Sequence, residues 1–320
     1  MGSGVGQMVK TAFVFPGQGA QFVGMGKDFY DNFDWAKSMY EEANDLLGKD
    51  ITRICFEGPE DELTLTENTQ PAILIHSIIA LKSLGEHDID AVVAAGHSLG
   101  EYSALVAAGT LEFGDAVKAV QKRGQYMQEA VPVGVGAMAA IIGMALTEVE
   151  SLCSSVSTAE SFVQPANKNS PIQVVVAGHK DAVEKLAEDA KKAGAKKSVL
   201  LPVSAPFHCP LMKPAEIKLK ATLEEITFNS SKYPVVTNVD CEAVSDGKVA
   251  RDSLVRQVCS PVRWTETMAH FVNEKIERVI EFGPGKVLSG LFKRYDKSIQ
   301  CIPIGDIASL NKAVSILKES

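Results

Sequence analysis

Residues 91–109, AVVAAGHSLGEYSALVAAG, constrain this chain more than any other stretch. The small or β-branched apolar residues 91–95 read as a buried strand. Gly96-His97-Ser98-Leu99-Gly100 follows without a spacer, and residues 101–108 read as a helix stopped by Gly109. Gly-x-Ser-x-Gly between a strand and a helix is the pattern of a nucleophile elbow. The glycines let strand and helix approach, the serine is held at the tip of a strained turn, and the next amide faces any oxyanion formed there. Here those groups are Ser98 and the backbone N–H of Leu99. The competing reading, a glycine-rich turn with an ordinary serine, does not account for the flanking strand and helix.

An elbow needs a sheet around it. With 320 residues, 46% of them hydrophobic, the chain can bury a large core, enough for one big α/β domain or a domain plus an insert. Strands are predicted at 11–15, 91–95, 234–236 and 276–282. Helices at 33–47, 71–84, 112–130, 214–226, 252–258, 265–273 and 287–293 alternate with them, the order of an α/β fold with a parallel sheet. In the second of these helices Thr69 is expected as cap and Pro71 in the first turn. Its apolar run, AILIHSIIAL, is about half of what a membrane span needs, so a buried core helix is expected. The first strand runs into Pro16-Gly17-Gln18-Gly19-Ala20-Gln21, which is neither a phosphate loop nor a Gly-x-Gly-x-x-Gly turn. It offers flexible backbone and the amide side chains of Gln18 and Gln21 at the carboxyl end of a strand, where parallel sheets place their ligands.

The pattern changes after residue 131. A strand at Gly136–Ile142, a helix at 147–156, strands at 161–166 and 172–177, a helix at 181–193 and a strand at 196–201 give the β-α-β-β-α-β order of a ferredoxin-like unit. Residues 132–203 are therefore expected as a small inserted domain, with 167–171 (NKNSP) as its central hairpin turn. The larger domain is expected to be discontinuous, 8–131 and 204–320. Residues 1–7, MGSGVGQ, lack the regions of a signal peptide and read as a cloning scar before a natural start near Met8.

Of the six histidines, His208 is the best partner for Ser98. Prolines at 202, 206 and 210 forbid both helix and continuous strand, leaving His208 on a stiff loop with few conformations to lose. His97 would have to fold back to reach the hydroxyl, His76 and His270 lie on predicted helices, and His87 and His179 sit in connections with no supporting rigidity. Nothing between Ser98 and His208 stands out as a triad acid, so a dyad with a neutral acceptor behind the imidazole is expected. Arg123 falls on the apolar stripe of helix 112–130, where a guanidinium needs a partner. On the residues alone it reads as a snorkelling or ion-paired structural arginine. The six cysteines form no Cys-x-x-Cys pair and no metal-ligand spacing, the usage of reduced, mostly buried thiols in a cytoplasmic protein. A net charge of −8 argues against nucleic acid as the partner.

Several motifs in order, FPGQGAQ, ENTQPA, GHSLGEYSAL, QKRGQYMQ, GAMAAI, FHCPLMKPA, SPVRW and EFGPGKVLSGL, are similar to those of the malonyl-CoA:acyl carrier protein transacylases, from residue 9 to the C-terminus. The resemblance implies an α/β-hydrolase-like core with a ferredoxin-like insert. It implies Ser98 as nucleophile, His208 as general base, oxyanion donors at Gln18 and the Leu99 amide, and the backbone carbonyl of Gln257 behind the histidine. Arg123 becomes the expected ligand of the malonyl carboxylate, with His97, Gln70 and Asn169 completing the substrate-binding set. Malonyl-CoA and an acidic acyl carrier protein are the implied partners, with no metal or other cofactor, no nucleic acid and no membrane. Because this chain is itself negative, docking requires a local basic patch. Lys191, Lys192, Lys196 and Lys197 on the insert, or Lys286, Lys293 and Arg294 near the C-terminus, are the candidates, with ordinary solvated faces as the alternative. A serine hydrolase or thioesterase would use the same elbow and histidine, and a non-catalytic carrier-binding module would use neither.

Overall fold

The computed structural model describes residues 9–318 apart from 86, 88 and 204. The cloning scar expected at 1–7, the start at Met8 and the domain boundary at Ser204 lie outside the described residues. Along the chain the strands are β1 (Thr11–Phe15), β2 (Val93–Gly96), β3 (Gly136–Ile142), β4 (Val163–Ser170), β5 (Gln173–His179), β6 (Lys197–Leu200), β7 (Val235–Val236), β8 (Ala243–Val244), β9 (Arg278–Phe282) and β10 (Gln300–Ile304). They form a six-stranded sheet in the order β10-β9-β1-β2-β7-β8 and a four-stranded sheet in the order β4-β5-β3-β6.

The larger sheet is parallel except for the β7–β8 pair. β1 lies inside it with all five residues buried, and its side chains alternate between two cores. Phe13 and Phe15 point into a layer built by helices Asp34–Leu47, Thr66–Ser83 and Phe113–Glu129. Ala12 and Val14, with Val93 and Ala95 of β2, face Trp264, Met268, Phe271 and Phe292 on the other side. Ser98 follows β2 and therefore emerges at the carboxyl edge of a sheet covered on both faces.

The smaller sheet is antiparallel throughout. One face packs Ala139, Ile141, Val174 and Val176 against Val149, Val183 and Leu186 of the helices Leu146–Val156 and Lys180–Lys192. Met138, Ala166, Val175 and Ala177 belong instead to the core shared with the larger sheet. The two parts are also joined through backbone, Val262 exchanging hydrogen bonds with Ala166 and Lys168, both at 2.8 Å.

Several expectations shift. β2 is Val93–Gly96 rather than 91–95, and the elbow helix is Gly100–Ala107 rather than 101–108. The helix expected from Pro71 begins five residues earlier, at Thr66, with Pro71 inside it, so Thr69 is no cap. Asn68 Nδ2 and Thr69 Oγ1 instead donate to the carbonyls of Glu62 and Leu63, anchoring the buried first turns so that the helix survives the amide that proline lacks. The hairpin turn expected at 167–171 is displaced to Pro171-Ile172, because β4 continues to Ser170. Two register shifts against β5 and the bridge from Asn167 to Val262 hold this polar run in the sheet. Helices Lys27–Asn32, Ile51–Glu57, Glu60–Thr64 and Ile307–Lys318 and strands β8 and β10 were not anticipated. The thiols are less buried than composition suggests, with Cys55, Cys153 and Cys209 buried and the other three half-buried.

Candidate active site

Ser98 has φ 50°, a left-handed conformation that costs a serine about 1–2 kcal/mol. The surroundings enforce it. A Cβ on Gly96 would overlap the Gly100 carbonyl, and one on Gly100 would overlap the Phe15 carbonyl, so only glycine lets strand and helix meet around the turn. Asn238, just beyond β7, clasps the elbow. Its Oδ1 accepts from the Ser98 backbone N–H at 2.7 Å and its Nδ2 donates to the Gly96 carbonyl at 2.7 Å.

His208 lies 2.7 Å from Ser98 Oγ through Nε2 and 2.9 Å from the Gln257 carbonyl through Nδ1. A carbonyl only accepts, so the Nδ1 proton is fixed there and Nε2 is left to take the serine proton. His208 is also left-handed, φ 61°, and it is 3% exposed. Burial and, secondarily, the Arg123 charge bring its pKa down to about 3, which keeps the imidazole in its basic form. Among the described residues the partner of Nδ1 is the neutral Gln257 carbonyl rather than a carboxylate.

Arg123 is 1% exposed and reaches the same point. Nη2 donates to Ser98 Oγ at 3.1 Å and to Gln257 Oε1 at 2.9 Å, Nη1 donates to Gln70 Oε1 at 2.8 Å, and the guanidinium lies 5.7 Å over the Tyr102 ring. Every acceptor in this set is neutral. Burial lowers its pKa from the usual range. Gln70 is therefore a prong of the arginine's cradle, while His97 is turned away from the hydroxyl and donates through Nε2 to Asn169 Oδ1 at 2.7 Å. The Gln18 side chain also faces away from the nucleophile, its Nε2 donating to Thr66 Oγ1 at 3.3 Å. Among the described residues the backbone N–H groups of Gln18 and Leu99 have no protein acceptor. Gln21 Oε1 accepts from Gly19 N–H at 2.7 Å and braces the loop.

Gln18, Leu99, Ser98, Arg123, His97 and His208 line one cavity of about 260 Å³, floored by Met127, Met138 and Phe207. A larger cavity of about 720 Å³ adjoins it, sharing Gln18, Thr64, Pro202 and Val203. Asn169 lies in a neighbouring hollow with His97 and Gln18. The two residues that reading the sequence missed are Asn238 and Glu101. A polar Asn two residues after the apolar strand 234–236 is the available signal for the first, since parallel strands present ligating residues at that end. Glu101 carries no local signal that separates it from an ordinary acid in the first turn of a helix.

Among the described residues, no group of three or more His, Cys, Asp or Glu could hold a metal ion, and no helix is long and apolar enough to cross a membrane. A serine, a buried basic imidazole and free amides around one cavity define the chemistry of acyl transfer. Residues 12–308 match the model of the acyl transferase domain family. A malonyl CoA-acyl carrier protein transacylase of Bacillus subtilis is 45% identical over 312 residues, 98% of each chain, and one of Haemophilus influenzae is 46% identical over 312 residues, 97% of this chain and all of the other. The solved transacylase of Coxiella burnetii superposes with a TM-score of 0.93 at 41% identity, covering 97% of this chain and 98% of the other. A malonyl-transacylase in complex with its type II PKS acyl-carrier protein gives 0.93 at 44% identity, covering 96% and 99%. The chain belongs to the malonyl CoA-acyl carrier protein transacylase family of acyl transferases.

Proposed function

We propose that this chain moves a malonyl group from malonyl-CoA to the phosphopantetheine thiol of an acyl carrier protein, by a ping-pong cycle through a malonyl ester on Ser98. The observation that carries this reading is Arg123: a buried guanidinium with only neutral acceptors, 3.1 Å from Ser98 Oγ. It is built to receive a carboxylate close to a reacting acyl carbon. Ser98 Oγ attacks the thioester carbonyl as its proton passes to His208 Nε2, and the developing oxyanion is held by the backbone N–H groups of Gln18 and Leu99. The tetrahedral adduct collapses and the CoA thiolate leaves with the proton from His208. In the second half, the carrier thiol gives its proton to His208 and attacks the ester, and Ser98 Oγ is released as the hydroxyl. The Gln257 carbonyl keeps the imidazole in the required tautomer throughout.

His97, Gln70 and Asn169 belong to the substrate side of this reading, Gln70 by bracing Arg123 and the His97–Asn169 pair by walling the entrance. The cycle uses no cofactor beyond the CoA thioester and the carrier's own prosthetic arm. The larger part is read as an α/β-hydrolase-like catalytic domain, 8–131 and 204–320. Residues 132–203 are read as a ferredoxin-like insert, supported by the β4-β5-β3-β6 order. The place of action is the cytoplasm. Intact-mass spectrometry after brief exposure to malonyl-CoA or acetyl-CoA tests the proposal. A malonyl adduct lost on Ser98→Ala and discharged onto a carrier thiol is expected, whereas free malonate as the main product would overturn it.

A further inference from the structure

Glu101 sits in the first turn of the elbow helix, 1% exposed, and no step above uses it. Its Oε2 accepts from the Asn238 backbone N–H at 3.0 Å and from Gln257 Nε2 at 2.7 Å. Oε1 has no hydrogen-bond partner among the described residues. We propose that Glu101 is a positioning residue for acyl selection: its Oε2 fixes the orientation of the Gln257 side-chain amide, and that amide holds the Arg123 guanidinium against Ser98.

The chemistry of an amide makes this specific. Gln257 has one donating end and one accepting end, and four neighbours compete for them. The Ser98 carbonyl at 3.0 Å, Asn238 Oδ1 at 3.4 Å and Glu101 Oε2 at 2.7 Å all accept, so Nε2 faces them and Oε1 is left for Arg123 Nη2. Rotated by half a turn, the amide would set its oxygen against three acceptors and its N–H groups against a guanidinium that only donates. The Ser98 carbonyl and the long contact to Asn238 favour the same orientation, and Glu101 Oε2 makes the shortest of the three bonds that fix it. Through Asn238, whose Oδ1 holds the Ser98 N–H, the same carboxyl oxygen also braces the nucleophile's backbone. Burial pushes the Glu101 carboxyl up to about 7. A protonated Glu101 would carry its hydrogen on the unpartnered Oε1 and still accept at Oε2, so the role belongs to the oxygen rather than to the charge.

The inference rests on Arg123 as the ligand of the malonyl carboxylate, and the experiment separates the two. The kcat/KM values for malonyl-CoA and acetyl-CoA, with melting temperatures, are measured for Glu101→Gln, Glu101→Met, Gln257→Met and Arg123→Ala. Glu101→Gln keeps an accepting oxygen and should hold the malonyl preference within about threefold of the parent. Glu101→Met removes the acceptor and should cut that preference by about tenfold or more, the cost of leaving one buried hydrogen bond unmade, chiefly through a raised malonyl KM. Gln257→Met keeps the backbone carbonyl that His208 needs, and should lose the preference likewise. An unchanged preference in Glu101→Met overturns the inference. So does a loss in Glu101→Gln as large as in Glu101→Met, because charge would then be the cause. If Glu101→Met does not fold, an unchanged preference in Gln257→Met overturns it instead. A preference intact in Arg123→Ala refutes the underlying reading, whereas one lost there but kept in both methionine variants refutes only the step through Glu101.

Discussion

Replacing Arg123 by alanine separates a ligand from a structural arginine, because the two roles predict opposite patterns across substrates. Its guanidinium is 1% exposed, and its acceptors, Gln70, Gln257 and Ser98, are all neutral. A malonyl carboxylate bound beside it would be desolvated, and without the arginine it would be buried unpaired. That loss is on the order of 2 to 5 kcal/mol, or roughly 30- to 5,000-fold in kcat/KM for malonyl-CoA. Acetyl-CoA has no carboxylate to strand. It loses only the 3.1 Å contact to Ser98 Oγ, and its kcat/KM should change by no more than about tenfold, the net worth of one hydrogen bond. Arg123→Lys keeps the charge but not the paired donors, so it should recover only part of the malonyl rate. Steady-state transfer to a carrier thiol with both thioesters, alongside thermal melting, reads all three effects. Equal losses for the two substrates together with a lowered melting temperature would refute the assignment and return Arg123 to the scaffold.

Ser98→Ala should abolish the acyl adduct in intact-mass spectra, and His208→Ala should slow both half-reactions by about 100-fold or more in rapid-quench measurements. A variant slowed in only one half would require a second base. Gln18→Ala should change kcat by less than about threefold, because its side chain bonds Thr66 and the backbone N–H survives the substitution. A loss of 100-fold or more would put the side-chain amide at the oxyanion. With His208 held down to about 3 by burial and Arg123, the rate of acyl-enzyme formation should show no imidazole titration near pH ~6.5, and Arg123→Ala should move the acid limb upward. A depressed folded-state value also means that His208 contributes stability above pH ~6.5, lost as the pH falls from there toward the folded value, so His208→Gln should flatten that part of the melting profile. A parent limb at ~6.5 would contradict the buried, neutral imidazole.

The elbow was legible because strand, turn and helix are contiguous, and its glycines have no alternative where chain segments meet. His208 was legible for a similar reason, its loop being stiffened by neighbouring prolines. The support around them was not. Asn238 and Gln257 stand 140 and 159 residues beyond the elbow serine, no local pattern announces either, and Gln257 is reached only through the family resemblance and only for its carbonyl. Asn169 was misplaced into a turn because Asn, Lys, Asn, Ser and Pro together signal one, whereas pairing with β5 and the neighbouring bridge to Val262 override local preference. Pro71 misled in the same way. A proline usually marks a helix start, but here tertiary burial of residues 66–70 extends the helix past it.

The contact between Arg123 and Ser98 Oγ ties two properties that most enzymes can adjust separately. The group that would choose the acyl chain also touches the atom that attacks it, and Gln257 shares itself between that group and the base. Redesign toward bulkier or uncharged extender units therefore has no neutral path through position 123: every substitution there retunes the reactivity of the serine along with the choice of cargo. Cargo is better altered from other elements of the cavity, at Met138 or Phe207, whose side chains line it without a hydrogen bond to the reacting pair. Libraries for new building blocks belong there, with the arginine changed last.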